Sequence, residues 1–481
     1  MMTYQAPALI IGNELRKGRS RSDFAVINPA TEEVLGELAF ASGADVADAL
    51  ASAERGFAEW RKVGPWARSD MLRKIAGLIR ERMPEIARLL TMEVGKPIGE
   101  AEAEVISGAE HFEWAADQAR QLSGETVNSR GPGGRGLMTY EPVGVVLALT
   151  AWNFPINLSA RKICMALAAG CSVIVRPAEE APACVVAMVQ CCVDAGLPAG
   201  AITLLFGTPE EVIAPLMAAP SVRKVSFTGS TRVGKILIHQ SADTVKRLTM
   251  ELGGHAPVLV LEDADVAFAA ETAALAKFRN SGQVCAAPSR FYVHEKLADE
   301  FADGFVKVAK RLKLGNGLDR SVTMGPMTTI RQRDRAEALV ADARQRGANI
   351  LCGGGRPADI NAGYFFEPTV MTNVHPDSEI LREEPFAPVA PILPFSDVEE
   401  AIARSNALEA GLASYLFTSS LSAATMVSER IEAGMVGINT CVVAIPEGPF
   451  GGVKQSGYGR EGGPTAIHDY LNIKFTHTRL L

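Results

Sequence analysis

Between residues 143 and 261 the chain alternates short apolar runs with amphipathic stretches, and few folds accommodate that rhythm. Residues 143–150 read as a buried strand and 157–169 as the helix after it. A strand over 171–176 leads to a helix over 182–195, one over 201–206 to a helix over 209–218, and one over 223–228 to a helix over 231–240. A strand over 245–251 closes the series. Short links of this kind specify a parallel sheet with helices on its faces. Such sheets bind ligands beyond the carboxyl ends of their strands. Trp152-Asn153, residues 177–179 and Gly229-Ser230 are therefore expected along one rim.

Around this block the chain is organised differently. Residues 26–40 read as a hairpin turning at Asn28-Pro29-Ala30-Thr31. Helices over 44–60, 68–92 and 99–120 have apolar residues at helical spacing and charged outer faces, as a scaffold packed on a sheet requires. Residues 121–140 change to Gly, Ser, Arg and Pro with short β-prone runs, an excursion from the main body. Near the end Tyr470, Leu471, Ile473 and Phe475 alternate with polar neighbours. That is a strand with one apolar face, for which a second subunit is a natural partner. Strands and helices mix again from 254 to 453, as a second α/β domain. A length of 481 residues suits two or three cores.

Composition excludes several classes. The net charge is -7, from 48 basic and 55 acidic residues, with no basic stripe; this argues against a nucleic-acid partner. The most apolar run, 163–175, lies between Arg161-Lys162 and Arg176 and falls well short of the roughly 20 residues that span a membrane. Residues 1–17 lack the layout of a secretion signal, so a cytoplasmic location is expected. Of the eight cysteines, none has Cys-x-x-Cys spacing and most sit in apolar segments. They read as buried free thiols, with no disulfide and no metal site. Cys285, in the polar loop Asn280-Ser281-Gly282-Gln283-Val284-Cys285, is the exception.

Upstream of that loop lies Glu251-Leu252-Gly253-Gly254, a carboxylate followed by glycines that admit a ligand close to the backbone. Alone, Glu251 reads equally well as a cap or half of an ion pair, and Cys285 as a buried thiol. A Cys–Glu pair with no nearby histidine argues against a papain-like protease and fits a carboxylate that activates water. Phe227-Thr228-Gly229-Ser230-Thr231 places a glycine and hydroxyls between a strand and a helix, where free N–H groups suit a phosphate, although a capped helix start looks the same. Arg176-Pro177-Ala178-Glu179 ends the second strand of the sheet with a carboxylate able to accept from ribose hydroxyls and repel a 2′-phosphate. The Asn153 amide, in Trp152-Asn153-Phe154-Pro155, is a candidate donor to a developing oxyanion.

Together these pieces, with Glu384-Pro385-Phe386 and Pro449-Phe450-Gly451-Gly452, resemble the aldehyde dehydrogenase superfamily in order and spacing through nearly the whole chain. The resemblance implies a Rossmann-type cofactor domain (1–120 and 141–253), a second α/β catalytic domain (254–453) and a β bridging arm (121–140 and 466–481), assembling as a homodimer or homotetramer. It implies that Cys285 attacks an aldehyde, with the oxyanion held by the Asn153 amide and the Cys285 N–H. Hydride would pass to a nicotinamide, and Glu251 would activate the water that releases the acid. Trp152, Arg176, Glu179, Gly229, Ser230, Glu384 and Phe386 would hold the cofactor, NAD by virtue of Glu179, with NADP admitted by Arg176.

Within the superfamily the chain is most similar to succinate-semialdehyde dehydrogenases. Lys277-Phe278-Arg279-Asn280, Gly434-Met435-Val436-Gly437-Ile438-Asn439 and Gly452-Val453-Lys454-Gln455-Ser456-Gly457 carry that likeness. In that subfamily two arginines hold the substrate carboxylate, and Arg161 and Arg279 stand at their positions. Two guanidinium forks at the mouth of an apolar tunnel would favour a carboxylate strongly. The departures are an apolar loop Thr440-Cys441-Val442-Val443-Ala444-Ile445-Pro446 where a serine is usual, Ala287 where some relatives carry a redox cysteine, Arg176 for the usual Lys, and Ala387 for a Gly. The expected reaction is oxidation of an ω-carboxy semialdehyde. The alternatives are a broad aliphatic or aromatic aldehyde dehydrogenase, a non-redox cysteine esterase or thioesterase, and a catalytically silent relative.

Overall fold

The computed structural model describes Tyr4 and residues 7–479. Residues 1–3, 5, 6, 480 and 481 lie outside the described residues, and with them part of the 1–17 segment and the ends of the expected ranges 1–120 and 466–481. The 143–261 rhythm forms a parallel sheet around β1 (Val145–Leu149), all five residues of which are buried. β2 (Ser172–Arg176) and β3 (Ile202–Leu204) lie to one side of it, β4 (Val222–Thr228) and β5 (Arg247–Glu251) to the other. The strand order thus reverses beside β1, which opens a crevice at the carboxyl ends. Three antiparallel strands extend the sheet: Leu9–Ile11 and Glu14–Arg16 beyond β3, and Gly457–Tyr458 beyond β5.

Two helices position most of the site. α1 (Ile98–Gln121) lies across α2 (Pro155–Ala169), and α2 is buried along nearly its whole length between α1 and the sheet. Gly108 on α1 permits the close crossing: a Cβ there would fall 2.9 Å from the Ile156 side chain. α3 (Thr231–Ser241) follows β4 and starts at Ser230, whose hydroxyl accepts from the Val233 N–H.

A second sheet of seven strands is built from residues 256–438. β6 (Ala256–Val260) and β7 (Pro288–His294) are its centre, and α4 (Val266–Phe278) runs between them in sequence. Its pairs are parallel except Asn349–Cys352 with Thr369–Thr372. A third, three-stranded antiparallel sheet joins Glu125–Asn128, Gly134–Pro142 and Leu471–Arg479. Among the described residues no helix is long and apolar enough to cross a membrane.

Local chemistry moves several expected boundaries. The helix expected over 68–92 is two, Pro65–Glu81 and Met83–Val94, because Arg82 leaves helical geometry and Pro84 has no N–H to continue the ladder. In the second domain the strand Thr369–Thr372 starts only after Pro368. The helix over 209–218 opens as a π turn, Pro209–Ile213.

Candidate active site

The approach to Cys285 is a run of left-handed backbone. Asn280, Ser281 and Gly282 are all left-handed, at φ 48, 54 and 75. For the two non-glycine residues this costs about 1–2 kcal/mol each, and the surroundings hold it. The Asn280 N–H donates to Glu100 at 2.9 Å, and the Ser281 hydroxyl donates to the Gly325 carbonyl at 2.7 Å. Buried Gln283 accepts from the Thr328 N–H at 2.9 Å and donates to the Asn280 carbonyl at 3.0 Å. Gly282 is obligatory, since a Cβ would lie 2.2 Å from the Ala387 carbonyl oxygen.

This loop delivers Cys285 to a cleft of about 500 Å³ that it shares with Asn153, Trp152, Glu251 and Phe450. Burial pushes the Cys285 thiol up to about 12; the charges of Glu384 and Glu251 add to the rise and Arg161 opposes it. Glu251 ends β5, and neither of its carboxylate oxygens has a hydrogen-bond partner. Burial, reinforced by the charge of Glu461, raises its pKa well above the usual carboxylate range, against the pull of Lys162, Arg161 and Arg460. Glu461 forms a buried ion pair with Lys162 of α2 and accepts from Ser226 at 3.0 Å; Lys162 also donates to Thr228 at 2.8 Å.

Asn153 is fixed from both ends. Its side-chain Nδ2 donates to the Gln283 carbonyl at 3.0 Å. Its own carbonyl accepts from Lys96 Nζ at 2.8 Å and from Asn280 Nδ2 at 3.0 Å. Lys96 is paired with Glu104 at 2.5 Å, both side chains fully buried. The other oxygen of Glu104 accepts from the N–H groups of Ile156 (3.0 Å) and Asn157 (3.2 Å), satisfying the open first turn of α2.

The same cleft continues past Gly229, Ser230, Glu384 and Phe386. Phe386, at φ 43, meets Trp152 edge-on at 5.6 Å between ring centroids. Glu384 keeps one buried oxygen without a partner, and its burial pushes it up to about 8. Lys277 on α4, buried behind it, is pulled down to about 7, with the Glu384 charge resisting. An orphaned carboxylate oxygen, a helix start with free N–H groups and an aromatic pair between them fit the ribose, phosphate and nicotinamide parts of a dinucleotide. At the end of β2, Arg176 pairs with Glu179 at 2.7 Å and donates to the Gly207 carbonyl at 2.6 Å. These two do not line the Cys285 cleft, but the Arg176 carbonyl bonds the Thr150 N–H at 3.3 Å, on the rim the cleft shares.

The structure separates the two arginines. Arg161 is buried inside α2 with its guanidinium carbon 4.5 Å from the centre of the Phe450 ring, and its Nε donates to His111 at 3.0 Å. No carboxylate lies within ion-pairing distance of it among the described residues. Arg279 is exposed on the far side of Phe154, 5.2 Å from that ring, and lines a separate hollow of about 310 Å³ with Glu100, Phe278 and Arg311. The expected pair at one tunnel mouth is therefore a buried residue of α2 and an exposed one that lines a different hollow. The sequence reading missed Lys96, Glu104, Lys162, Glu461 and His111. For Glu104, His111 and Lys162 the available signal was a charge or imidazole within a helical stretch, which a periodicity argument passes over; Lys96 and Glu461 lie outside helices and offered none.

Comparison with known proteins places this geometry. The aldehyde dehydrogenase family model matches residues 15–476. A 4-(hydroxymethyl)benzenesulfonate dehydrogenase of Comamonas testosteroni is 43% identical over 98% of both chains. A 3-sulfolactaldehyde dehydrogenase of Pseudomonas putida is 42% identical over 95% of this chain and 93% of that one. The crystal structure of a succinate-semialdehyde dehydrogenase from Burkholderia pseudomallei superposes with a TM-score of 0.96 at 40% identity, covering 99% of this chain and 98% of that one. With a family model spanning nearly the whole sequence and relatives this similar over their full lengths, the chain belongs to the aldehyde dehydrogenase family and is an NAD(P)-dependent aldehyde dehydrogenase.

Proposed function

We propose that the substrate is an aldehyde carrying a distal anion, a carboxylate or a sulfonate, with four- or five-carbon semialdehydes as the leading class. The observation that carries this is Arg161: a guanidinium buried near Cys285, stacked on Phe450 and held by a histidine, with no protein carboxylate in ion-pairing contact among the described residues and only the longer-range charges of Glu461 and Glu251 to offset it. A buried charge left unpaired is costly, and a bound anion removes that cost. The relatives named for sulfonated and for ω-carboxy substrates support the same reading.

The reaction on this reading begins at Cys285, whose Sγ bonds to the aldehyde carbon as its S–H proton passes to solvent in the cleft. The Asn153 amide and the Cys285 N–H receive the oxyanion. Trp152, Phe386, Glu384, Gly229 and Ser230 would hold the dinucleotide, whose nicotinamide would supply the hydride acceptor. The resulting thioester is hydrolysed by water that the ionised Glu251 carboxylate deprotonates. Lys162 and Glu461 set the field around Glu251. Glu179, engaged by Arg176, favours NAD over NADP. The arm sheet is assigned to contact between subunits.

The test is initial rates of NAD and NADP reduction with succinate semialdehyde, a sulfonated aldehyde of similar length and butanal, for wild type and Arg161→Met. A wild-type preference for the anionic aldehydes, lost in Arg161→Met mainly through KM, is the expected result. Equal kcat/KM for anionic and uncharged aldehydes of the same length would eliminate the distal anion and leave a broad-specificity aldehyde dehydrogenase.

A further inference from the structure

His111 lies on α1, fully buried, and faces α2 where Gly108 lets the two helices close. Its Nε2 accepts from Arg161 Nε at 3.0 Å, so the ring proton sits on Nδ1 and the imidazole is neutral. Nδ1 has no hydrogen-bond partner. Burial and the charge of Arg161 both oppose protonation of this ring, more strongly than the Asn157 side chain favours it. Arg161 is thus restrained along one edge by an uncharged acceptor and across one face by the Phe450 ring. Among the described residues its two Nη groups are in ion-pairing contact with no carboxylate, Glu461 and Glu251 acting on the guanidinium only at longer range.

We infer that His111 is a positioning residue for anion selectivity, holding Arg161 by a neutral lone pair so that the guanidinium keeps its full charge for the substrate. This rests on the distal-anion reading of the same site. An acidic residue would fix Arg161 equally well, but it would cancel the field that attracts an anion into a cleft of low dielectric. An apolar residue would leave the Nε–H unsatisfied and the guanidinium free to rotate away. Histidine held neutral, and in the required tautomer by Arg161 itself, avoids both.

The experiment measures the ratio of kcat/KM for succinate semialdehyde over butanal, and for 3-sulfopropanal over butanal. It compares wild type, His111→Glu, His111→Phe and His111→Gln. His111→Glu is expected to lower the ratio at least tenfold, through the KM of the anionic substrate. His111→Phe is expected to lower it about threefold to tenfold, and His111→Gln, which restores an acceptor, to stay within about threefold of wild type. NAD+ affinity by fluorescence and the melting temperature identify any variant that misfolds; should His111→Glu be one, the Phe and Gln pair decides. Ratios held at the wild-type value in His111→Glu and His111→Phe, while Arg161→Met abolishes them, would overturn the role of His111 and leave the distal-anion reading intact. A wild-type ratio near one would overturn both. Whichever anion gives the larger wild-type ratio is the one the site takes.

Discussion

Cys285 and Glu251 are both held away from the charge states that the proposed chemistry uses. The thiol is pushed up to about 12 and Glu251 well above the usual carboxylate range, each chiefly by burial. A buried carboxyl that keeps its proton past its unfolded pKa takes up a proton on folding, so its contribution to stability declines as pH rises from that unfolded value through the raised one. Glu251→Gln removes this loss. Its melting temperature is expected to exceed that of wild type at pH 8 and to approach it at pH 5. On the proposed mechanism the same variant still makes thioester, so rapid mixing with NAD and substrate gives a burst of NADH while steady-state kcat falls about 100-fold or more. A variant that loses the burst together with the steady state would move Glu251 from deacylation to an earlier step. Alone, Cys285, Glu251 and Asn153 were ambiguous; they became legible as candidates through the order and spacing of the motifs that carry the family resemblance. What burial does to their acidity was not, because it depends on Glu461, Arg161 and Lys162 arriving from elements distant in the sequence.

At the scale of elements, the oxyanion side of the site hangs on the start of α2. Pro155 occupies its first turn, and Glu104 of α1 supplies the acceptor for the next two N–H groups. Lys96, from the turn between Met83–Val94 and α1, compensates Glu104 and holds the Asn153 carbonyl. Lys96→Met leaves a fully buried carboxylate without its counter-charge, a loss of about 3–5 kcal/mol by the behaviour of broken buried pairs. The double variant Lys96→Met/Glu104→Gln is expected to regain much of that stability. It should not regain kcat, because the clamp on Asn153 is still missing. Equal recovery of melting temperature and kcat in the double variant would reduce the pair to scaffolding. The strands and helices that make this arrangement were mostly legible from periodicity, to within a few residues. The break at Arg82 was not, since the apolar stripe runs through it, nor was the left-handed run 280–282, in which only Gly282 announces its backbone.

The whole molecule brings its two larger sheets to one cleft. Glu251, Asn153 and Ser230 come from the first, and Cys285, Glu384 and Phe386 from the segments around the second. All of these come from a single chain, so the third sheet is free for another purpose. One face of that sheet exposes Val127, Ile473 and Phe475, with Ile473 65% and Phe475 57% accessible, and Leu137 is exposed on the other face. An exposed apolar face on a sheet whose edge strand, 471–479, has one side unpaired among the described residues marks a contact surface. The proposed occupant is a second copy of this chain, which the alternation of Tyr470, Leu471, Ile473 and Phe475 already indicated. The double variant Ile473→Lys/Phe475→Lys puts two cations on that face without touching the cleft. Light scattering on wild type should give two or four chain masses and on the variant fewer, with NAD+ still bound per chain because every cleft residue is in place. A wild type of one chain mass would end the assignment, and a variant that kept the wild-type mass would move the subunit contact to another surface.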